Sequence, residues 1–213
     1  MAMTSLETAL FESLREFFAA AQYHYLPQQK QFRRYTATGF RNVILSISPY
    51  EDELWVEVNL GLRKDHVEET VQQFLSGRTD FWKDTNTVII SIGKLTQNPY
   101  FRYKIVDEED LELCQEQISH FMDTQGFDFL SDLDALPTLD LLFNTNPRLP
   151  LKYLYNQRHR CFRGLVLARL THNARYNELK DIYREVLQTQ GSSDFVMLNY
   201  ARLTQFLDNY SLN

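Results

Sequence analysis

The stretch Glu53–Leu62 constrains the fold of this chain most, because every second residue along it is Leu or Val. A period of two is that of a β-strand that turns one face toward a core. The sequence therefore predicts an antiparallel strand with one buried face and one wetter face. The buried face carries Leu54, Val56, Val58, Leu60 and Leu62, and the wetter face carries Trp55, Glu57, Asn59 and Arg63.

Further strand patterns flank this stretch and make it part of a sheet. Short turns at Thr36–Gly39 and Pro49–Asp52 separate three successive strand patterns, which predicts an antiparallel meander. A later stretch is rich in β-branched residues, and Pro99 lies in the turn before the last strand. The other predicted strands are Lys30–Tyr35, Phe40–Ile47, Thr87–Leu95 and Phe101–Val106.

Helical periodicity dominates the two ends of the chain. Leu6–Ala21 repeats apolar residues at helical spacing behind a capping box of Thr4 and Glu7, and a short helix from Asp65 is predicted to stop at Gly77. The sequence thus predicts an α+β fold: an antiparallel sheet of about five strands packed by helices, with a C-terminal helical hairpin or bundle. The remaining predicted helices are Asp107–Gly126, Arg158–Leu170, Tyr176–Leu187 and a last one that Ser193 caps, with short helix or loop over Phe127–Phe143.

The 213 residues suffice for a self-sufficient core without disulfides or metals. The change of character near Pro147 predicts a sheet domain over residues 1–145 and a helical extension over 146–213, packed together as one globule. Cys114 and Cys161 lie in apolar helical stretches and are predicted to be buried thiols. The first apolar stretch contains acidic residues and no basic residue precedes it, and no run approaches membrane-spanning length, so we expect a cytoplasmic protein without a membrane partner.

Charge is segregated along the chain. Residues 105–145 hold eleven acidic and no basic side chains, whereas residues 146–213 hold ten basic and five acidic ones. Two interpretations follow: the two segments lie against each other in the fold, or the acidic segment faces a basic partner. The basic cluster Arg158, His159, Arg160 and Arg163 allows the same choice between a partner site and a counter-charge to the acidic segment.

The sequence contains no constellation that is typical of a known reaction. The five histidines and two cysteines lack metal-ligand spacing, and there is no phosphate-binding glycine loop or nucleophile elbow. We therefore expect no metal and no cofactor. A catalytic pair of Glu57 with another carboxylate of the sheet stays open, because spatial neighbours are invisible in a sequence, and so does the question of whether the protein is an enzyme.

Two stretches mix basic and aromatic residues, Lys30–Tyr35 and Tyr100–Lys104. Such residues on a sheet can stack bases and hold phosphates, and they are also ordinary for half-buried strands whose Arg and Lys reach water. A net charge of −6 and a pI near 5.4 disfavour nucleic acid.

The aromatic excess and the segregated charge favour a non-enzymatic module that binds another protein. Its predicted binding surface is the wetter sheet face with Arg41, Trp55, Glu57, Asn59 and Arg63, provided that the C-terminal helices leave this face open. The alternative is an enzyme or small-ligand binder that uses the same face as the floor of a pocket. The sequence does not predict an oligomeric state.

Several stretches in order carry a resemblance: strands at Lys30–Tyr35, Asn42–Ile47 and Leu54–Leu60, then Leu151–Asn156 followed by Gly164–Leu170. This order resembles an uncharacterised group of bacterial α+β domains of unknown function. The resemblance implies a bacterial protein, and the group has no established catalytic residues to carry over. Some small α+β proteins of similar build are immunity proteins that neutralise toxins by binding them, which makes toxin binding a third hypothesis by analogy.

Overall fold

The computed structural model describes residues 5–75 and 79–210, so the predicted contributions of Thr4 and Gly77 lie outside the described residues. It confirms the predicted α+β class. The strands are β1 (His24–Leu26), β2 (Gln31–Thr36), β3 (Gly39–Pro49), β4 (Leu54–Lys64), β5 (Val88–Ser91) and β6 (Tyr103–Ile105). The helices are α1 (Ser5–Ala20), α2 (Asp65–Gln72), α3 (Ile92–Leu95), α4 (Glu108–Phe121), α5 (Phe127–Asp132), α6 (Leu136–Asn144), α7 (Gln157–Leu170), α8 (Tyr176–Thr189) and α9 (Asp194–Asp208).

The sheet follows the order β1-β2-β3-β4-β5, and β6 also pairs with β4. The hairpin between β2 and β3 closes where Thr36 faces Gly39, as the turn pattern predicts, and Gly39 has a φ of 147°. The alternation along β4 is confirmed, since its Leu and Val side chains are all at most 4% exposed. The opposite face of β4 differs from prediction toward its end, where Asn59 and Arg63 are buried as well.

Contacts divide the chain into two units. One takes in Met1–Leu62 and Ile89–Ser131, and the other takes in Arg63–Val88 and Asp132–Asn213. The chain therefore passes between the units three times. The predicted boundary between residues 145 and 146 lies inside the second unit, between α6 and α7.

The core of the first unit uses much of the aromatic excess. Helix α1 packs against β1 and α4, and its ring of Phe18 stacks on Phe32 of β2 with centroids 4.2 Å apart. Phe11 stacks on Tyr25 of β1 at 5.0 Å, and Phe127 joins the cluster from α5. Offset rings of this kind add specific contacts to a large apolar burial.

Helix α7 is the centre of the second unit, where it packs against α2, α6, α8 and α9. Its residues Arg160–Ala168 are all buried, so it lacks the polar stripe of a surface helix. The sequence predicts close helix approach at Gly164 and Ala168, and the structure confirms it at Gly164. A Cβ there would overlap Tyr183 of α8 and come within 2.9 Å of the Asn144 Oδ1.

Three local predictions need correction. The strand predicted over Thr87–Leu95 ends at Ser91, because the Ser91 hydroxyl accepts a hydrogen bond from the Lys94 N–H and starts the helical turn α3. Gly126 does not end the helix that begins at Glu108, since a π-helical turn over Met122–Gly126 carries the chain into α5. Strand β1 is too short to give a period of two in the sequence, and the prediction missed it.

Both cysteines are buried, as predicted, and burial raises the pKa of each thiol to about 12. Within residues 5–75 and 79–210, no cluster of three or more His, Cys, Asp or Glu side chains is placed to hold a metal ion. Over the same residues, no helix combines the length and the apolar character that a membrane crossing requires.

Candidate functional site

An open groove of about 560 Å³ lies on the surface of the first unit. Its aromatic character distinguishes it, and we call it the aromatic groove. It is lined by Tyr50, Glu53, Trp55, Pro99, Tyr100 and Arg102.

One wall of the aromatic groove is the turn between β3 and β4. The Tyr50 N–H donates to the Glu53 carbonyl at 2.8 Å and closes this turn. Trp55 follows as the first residue of β4 that points away from the core, because Leu54 and Val56 on either side point inward. The turn therefore sets a tyrosine, a carboxylate and an indole side by side.

The other wall is the loop before β6. This loop is fixed at its base, since the Asn98 N–H donates to the Gly93 carbonyl at 2.8 Å and the Phe101 N–H donates to the Asn98 carbonyl at 3.0 Å. Gly93 is required there, because a Cβ would overlap the Asn98 carbonyl and lie 3.1 Å from the Phe101 Cβ. The anchored loop holds Tyr100 and Arg102 over the groove.

The pairing of β4 with β6 places Lys104 opposite Trp55 and creates a small charge network. Glu53 accepts a hydrogen bond from the Trp55 Nε1–H at 2.6 Å and pairs with the Lys104 Nζ at 2.5 Å. Hydrogen bonds from Lys104 and then from Trp55 lower the pKa of Glu53. The network fixes the indole and keeps the carboxylate ionised, which makes Glu53 a poor proton donor.

The rings of the aromatic groove face water. Tyr100 is 92% exposed and Tyr50 is 60% exposed, which is unusual for side chains of this size. Arg102 is also exposed, and it makes no ion pair with any residue that the structure describes. The groove thus presents apolar area together with one uncompensated positive charge.

A second, smaller groove of about 190 Å³ shares Arg102 with the first. It runs between the segment 101–104 and helix α4, where Leu113 is 52% exposed. The two grooves together make an elongated surface around Arg102. An elongated surface suits a chain-like ligand better than a compact one.

The structure scatters the residues of the predicted sheet surface. Trp55 lines the aromatic groove, whereas Glu57 and Arg41 are half-buried outside it. Asn59 is buried and donates to the Ser46 hydroxyl at 3.3 Å. Arg63, which belongs to the second unit, is buried and donates to the carboxylate of Asp65 and to the carbonyls of Trp82 and Thr85.

The predicted basic cluster of α7 lies in the second unit, and its members differ in exposure. Arg163 is buried and forms a bidentate pair with Glu68 of α2, at 2.7 and 2.9 Å. Arg160 is buried and donates to the carbonyls of Phe143, Asn146 and Leu149 around the end of α6. Among the described residues, neither arginine pairs with a carboxylate of 105–145, so the counter-charge interpretation does not explain these two. Arg158 is exposed, and His159 lines a small cavity beside it.

Sequence reasoning missed Tyr50 and Pro99 as parts of a site and gave no preference to Tyr100. Two signals pointed toward them: a basic-aromatic stretch at Tyr100–Lys104, and a turn immediately before Trp55. Only the pairing of β4 with β6 joins these two signals into one surface. Comparisons of the chain with models of protein families, with curated proteins and with solved structures found no match.

Proposed function

We propose that the protein is a binding module that holds an extended segment of a partner protein in the aromatic groove. The segment carries an acidic residue next to a proline or an aromatic residue. The observation that supports this most directly is the exposure of Tyr50 and Tyr100, which together with Trp55 line a groove of about 560 Å³. Grooves lined by aromatic rings are a recurrent way to bind extended peptides.

The acidic residue follows from the charge of the groove. The carboxylate of Glu53 is neutralised by Lys104, which leaves Arg102 as the cation free to meet a partner within the described lining. A guanidinium binds a carboxylate through two parallel hydrogen bonds, which adds orientation to the apolar contact.

A peptide explains the groove better than a nucleic acid does. Binding to a phosphate backbone needs several cations along the strand, whereas the lining of the aromatic groove contains one cation and one carboxylate. Among the described residues that line the groove there is also no acid–base pair, since the one carboxylate, Glu53, is engaged by Trp55 and Lys104. Binding without catalysis is therefore the function that the groove supports best.

Selection from a random peptide library displayed on phage tests this proposal. The full chain should enrich peptides that contain Asp or Glu beside Pro, Phe, Tyr or Trp. Tyr100→Ala should weaken binding of a synthesised winning peptide at least about tenfold, because a well-placed aromatic contact is worth more than 1 kcal/mol. Arg102→Glu should weaken it further and reduce its dependence on salt.

Tyr35→Ala is the matched control, because Tyr35 is 59% exposed in the same unit and lines neither groove. Its affinity should equal that of the wild type. Enrichment of basic peptides, or equal binding by the Tyr100→Ala and Tyr35→Ala variants, would contradict the proposal. Single-stranded DNA that competes fully with the peptide at 150 mM salt would favour the nucleic-acid hypothesis instead.

A further inference from the structure

A second cavity, of about 120 Å³, lies within the second unit. It is an open cavity, lined by the first residues of α7 and of α9 and by residues just after α2. Five of its nine lining residues are apolar, and together they offer a place for the apolar body of a small ligand. The apolar lining comprises Phe74, Leu75, Phe162, Phe195 and Val196.

Four polar residues complete the lining: Asn156, Arg158, His159 and Asn199. The Asn156 Oδ1 accepts hydrogen bonds from the Arg158 and His159 N–H groups at the start of α7. Arg158 forms no ion pair, and neither ring nitrogen of His159 forms a hydrogen bond, with any residue in 5–75 or 79–210. Asn199 is 8% exposed; its Oδ1 accepts from Arg202 at 3.5 Å, and its Nδ2 donates to no described residue. The Nδ2–H groups are therefore available to donate to a ligand in the cavity.

His159 does not add charge to the cavity at neutral pH. Burial, followed by the nearby charge of Arg163, lowers the pKa of His159 to about 4, against a smaller opposite effect of Glu68. The charges of Arg163 and Glu68 compensate each other in their ion pair. The cavity therefore offers a neutral imidazole, an amide donor and one cation, Arg158, at its rim.

From this arrangement we infer that the cavity binds a small monocarboxylate with an apolar body about the size of one aromatic ring. The body lies among the phenylalanines, and the carboxylate accepts hydrogen bonds from the Arg158 guanidinium and the Asn199 amide. His159 donates from one ring nitrogen as a neutral group. The inference does not depend on the aromatic groove, because the cavity belongs to the other unit.

The size of the cavity supports a ligand of this class. A dry cavity of roughly 150 Å³ in another protein holds benzene, so about 120 Å³ holds one ring or a short branched chain but no second ring. The charge supports it as well, because a guanidinium binds a carboxylate through two parallel charge-assisted hydrogen bonds. A phosphate ester of similar size would bring two charges to a single cation.

Titration of the full chain with benzoate, followed by calorimetry and by the amide signals of Asn199 in NMR spectra, tests the inference. Benzoate should bind with a dissociation constant below about 1 mM, and the Asn199 side-chain signals should shift. Benzamide, which has the same shape without the charge, should bind at least about tenfold more weakly.

Variants separate a specific site from weak general binding. Arg158→Gln should raise the dissociation constant for benzoate at least about tenfold, and Val196→Trp should abolish binding by filling the cavity. Arg184→Gln is the matched control, because Arg184 is an exposed arginine of the same unit that pairs with Asp181. The inference fails if benzoate does not bind, if benzamide binds equally well, or if the Arg158→Gln and Arg184→Gln variants behave alike.

Discussion

The segments Tyr100–Lys104 and Arg158–Arg163 both contain cations and at least one aromatic residue, but the structure exposes most of the first and buries most of the second. In the first, Tyr100 and Arg102 face water beside the aromatic groove. In the second, Arg160 and Arg163 are buried and their donors bind groups of the protein itself. A run of basic residues therefore indicates a binding surface only when its segment lies at the surface of the protein and its side chains are exposed.

The reason for the difference is the position of each element. Segment 100–104 leads into β6, which pairs with β4 alone among the described strands. The stretch Arg160–Ala168 of helix α7 is buried among four other helices, so a cation in this stretch loses its hydration. Such a cation must find an internal acceptor, and the acceptors are the carboxylate of Glu68 and the carbonyls around the end of α6.

The largest effect should come from removal of the partner of Arg163. Glu68 is fully buried, so Glu68→Ala leaves an uncompensated charge inside the second unit. We expect the free energy of unfolding to fall by about 3–5 kcal/mol, measured by urea denaturation. Replacement of both partners, Glu68→Leu with Arg163→Met, should recover most of this loss.

Asp181→Ala provides the control, because it breaks an exposed ion pair with Arg184. Exposed pairs contribute about 0–1 kcal/mol. If Glu68→Ala and Asp181→Ala cost the same, the contrast between buried and exposed cations is wrong for this protein.

The second largest loss of stability should come from Arg160, whose guanidinium donates hydrogen bonds to carbonyls rather than to a carboxylate. Arg160→Met should lower the free energy of unfolding by about 3 kcal/mol, since three carbonyls lose a charged donor. Arg169→Met should cost about 1 kcal/mol, because Arg169 donates to a single carbonyl, that of Tyr210. Equal losses in the two variants would show that the number of carbonyls does not matter.

His159 adds a pH dependence to the second unit. Its pKa is lowered from 6.5 to about 4, so the unfolded chain binds the proton more tightly than the folded one. The contribution of His159 to the free energy of unfolding is fully present above pH 6.5 and is lost as the pH falls toward 4. Between pH 7 and pH 4.5 the wild type should lose about 2 kcal/mol more than His159→Gln, measured by denaturation at each pH. Parallel profiles for the two proteins would rule out the contribution of His159.

The smallest effect should come from the exposed segment. Arg102→Ala and Tyr100→Ala should each change the free energy of unfolding by no more than about 0.5 kcal/mol, because both side chains face water. Their effect should be on peptide binding instead. A loss above 1.5 kcal/mol in either variant would mean that the segment serves the fold, as α7 does.

The sequence predicts those parts of the fold whose pattern is local. The alternation of apolar and polar residues along β4 predicts which face of the strand is buried. Gly164 predicts a close helix contact because it has no side chain. Both features can be read from a single segment of the sequence. The strand predicted through Leu95 stops early, since a single hydroxyl at Ser91 competes with the β-branched residues before it. The π-helical turn at Met122–Gly126 also differs from the prediction, because the sequence does not distinguish a glycine inside a helix from a glycine that ends one.

The candidate site was predicted only in part, because it is assembled from distant segments. Trp55 was recognised from its place on the wetter face of β4, but its neighbours Tyr50 and Tyr100 come from a turn and from a loop about fifty residues away. Burial of Asn59 and Arg63 depends likewise on groups outside the strand, such as the Ser46 hydroxyl and the Trp82 carbonyl. A pattern within one strand contains no information about these partners.

The three passages of the chain between the units have a practical consequence for dissection of the protein. Because each unit is built from two separate stretches of sequence, no single cut yields both units whole. A fragment that ends at residue 145 would keep α2 and α6 and lose α7, against which both pack. Expression of either unit alone therefore requires rejoining its two stretches with a designed linker.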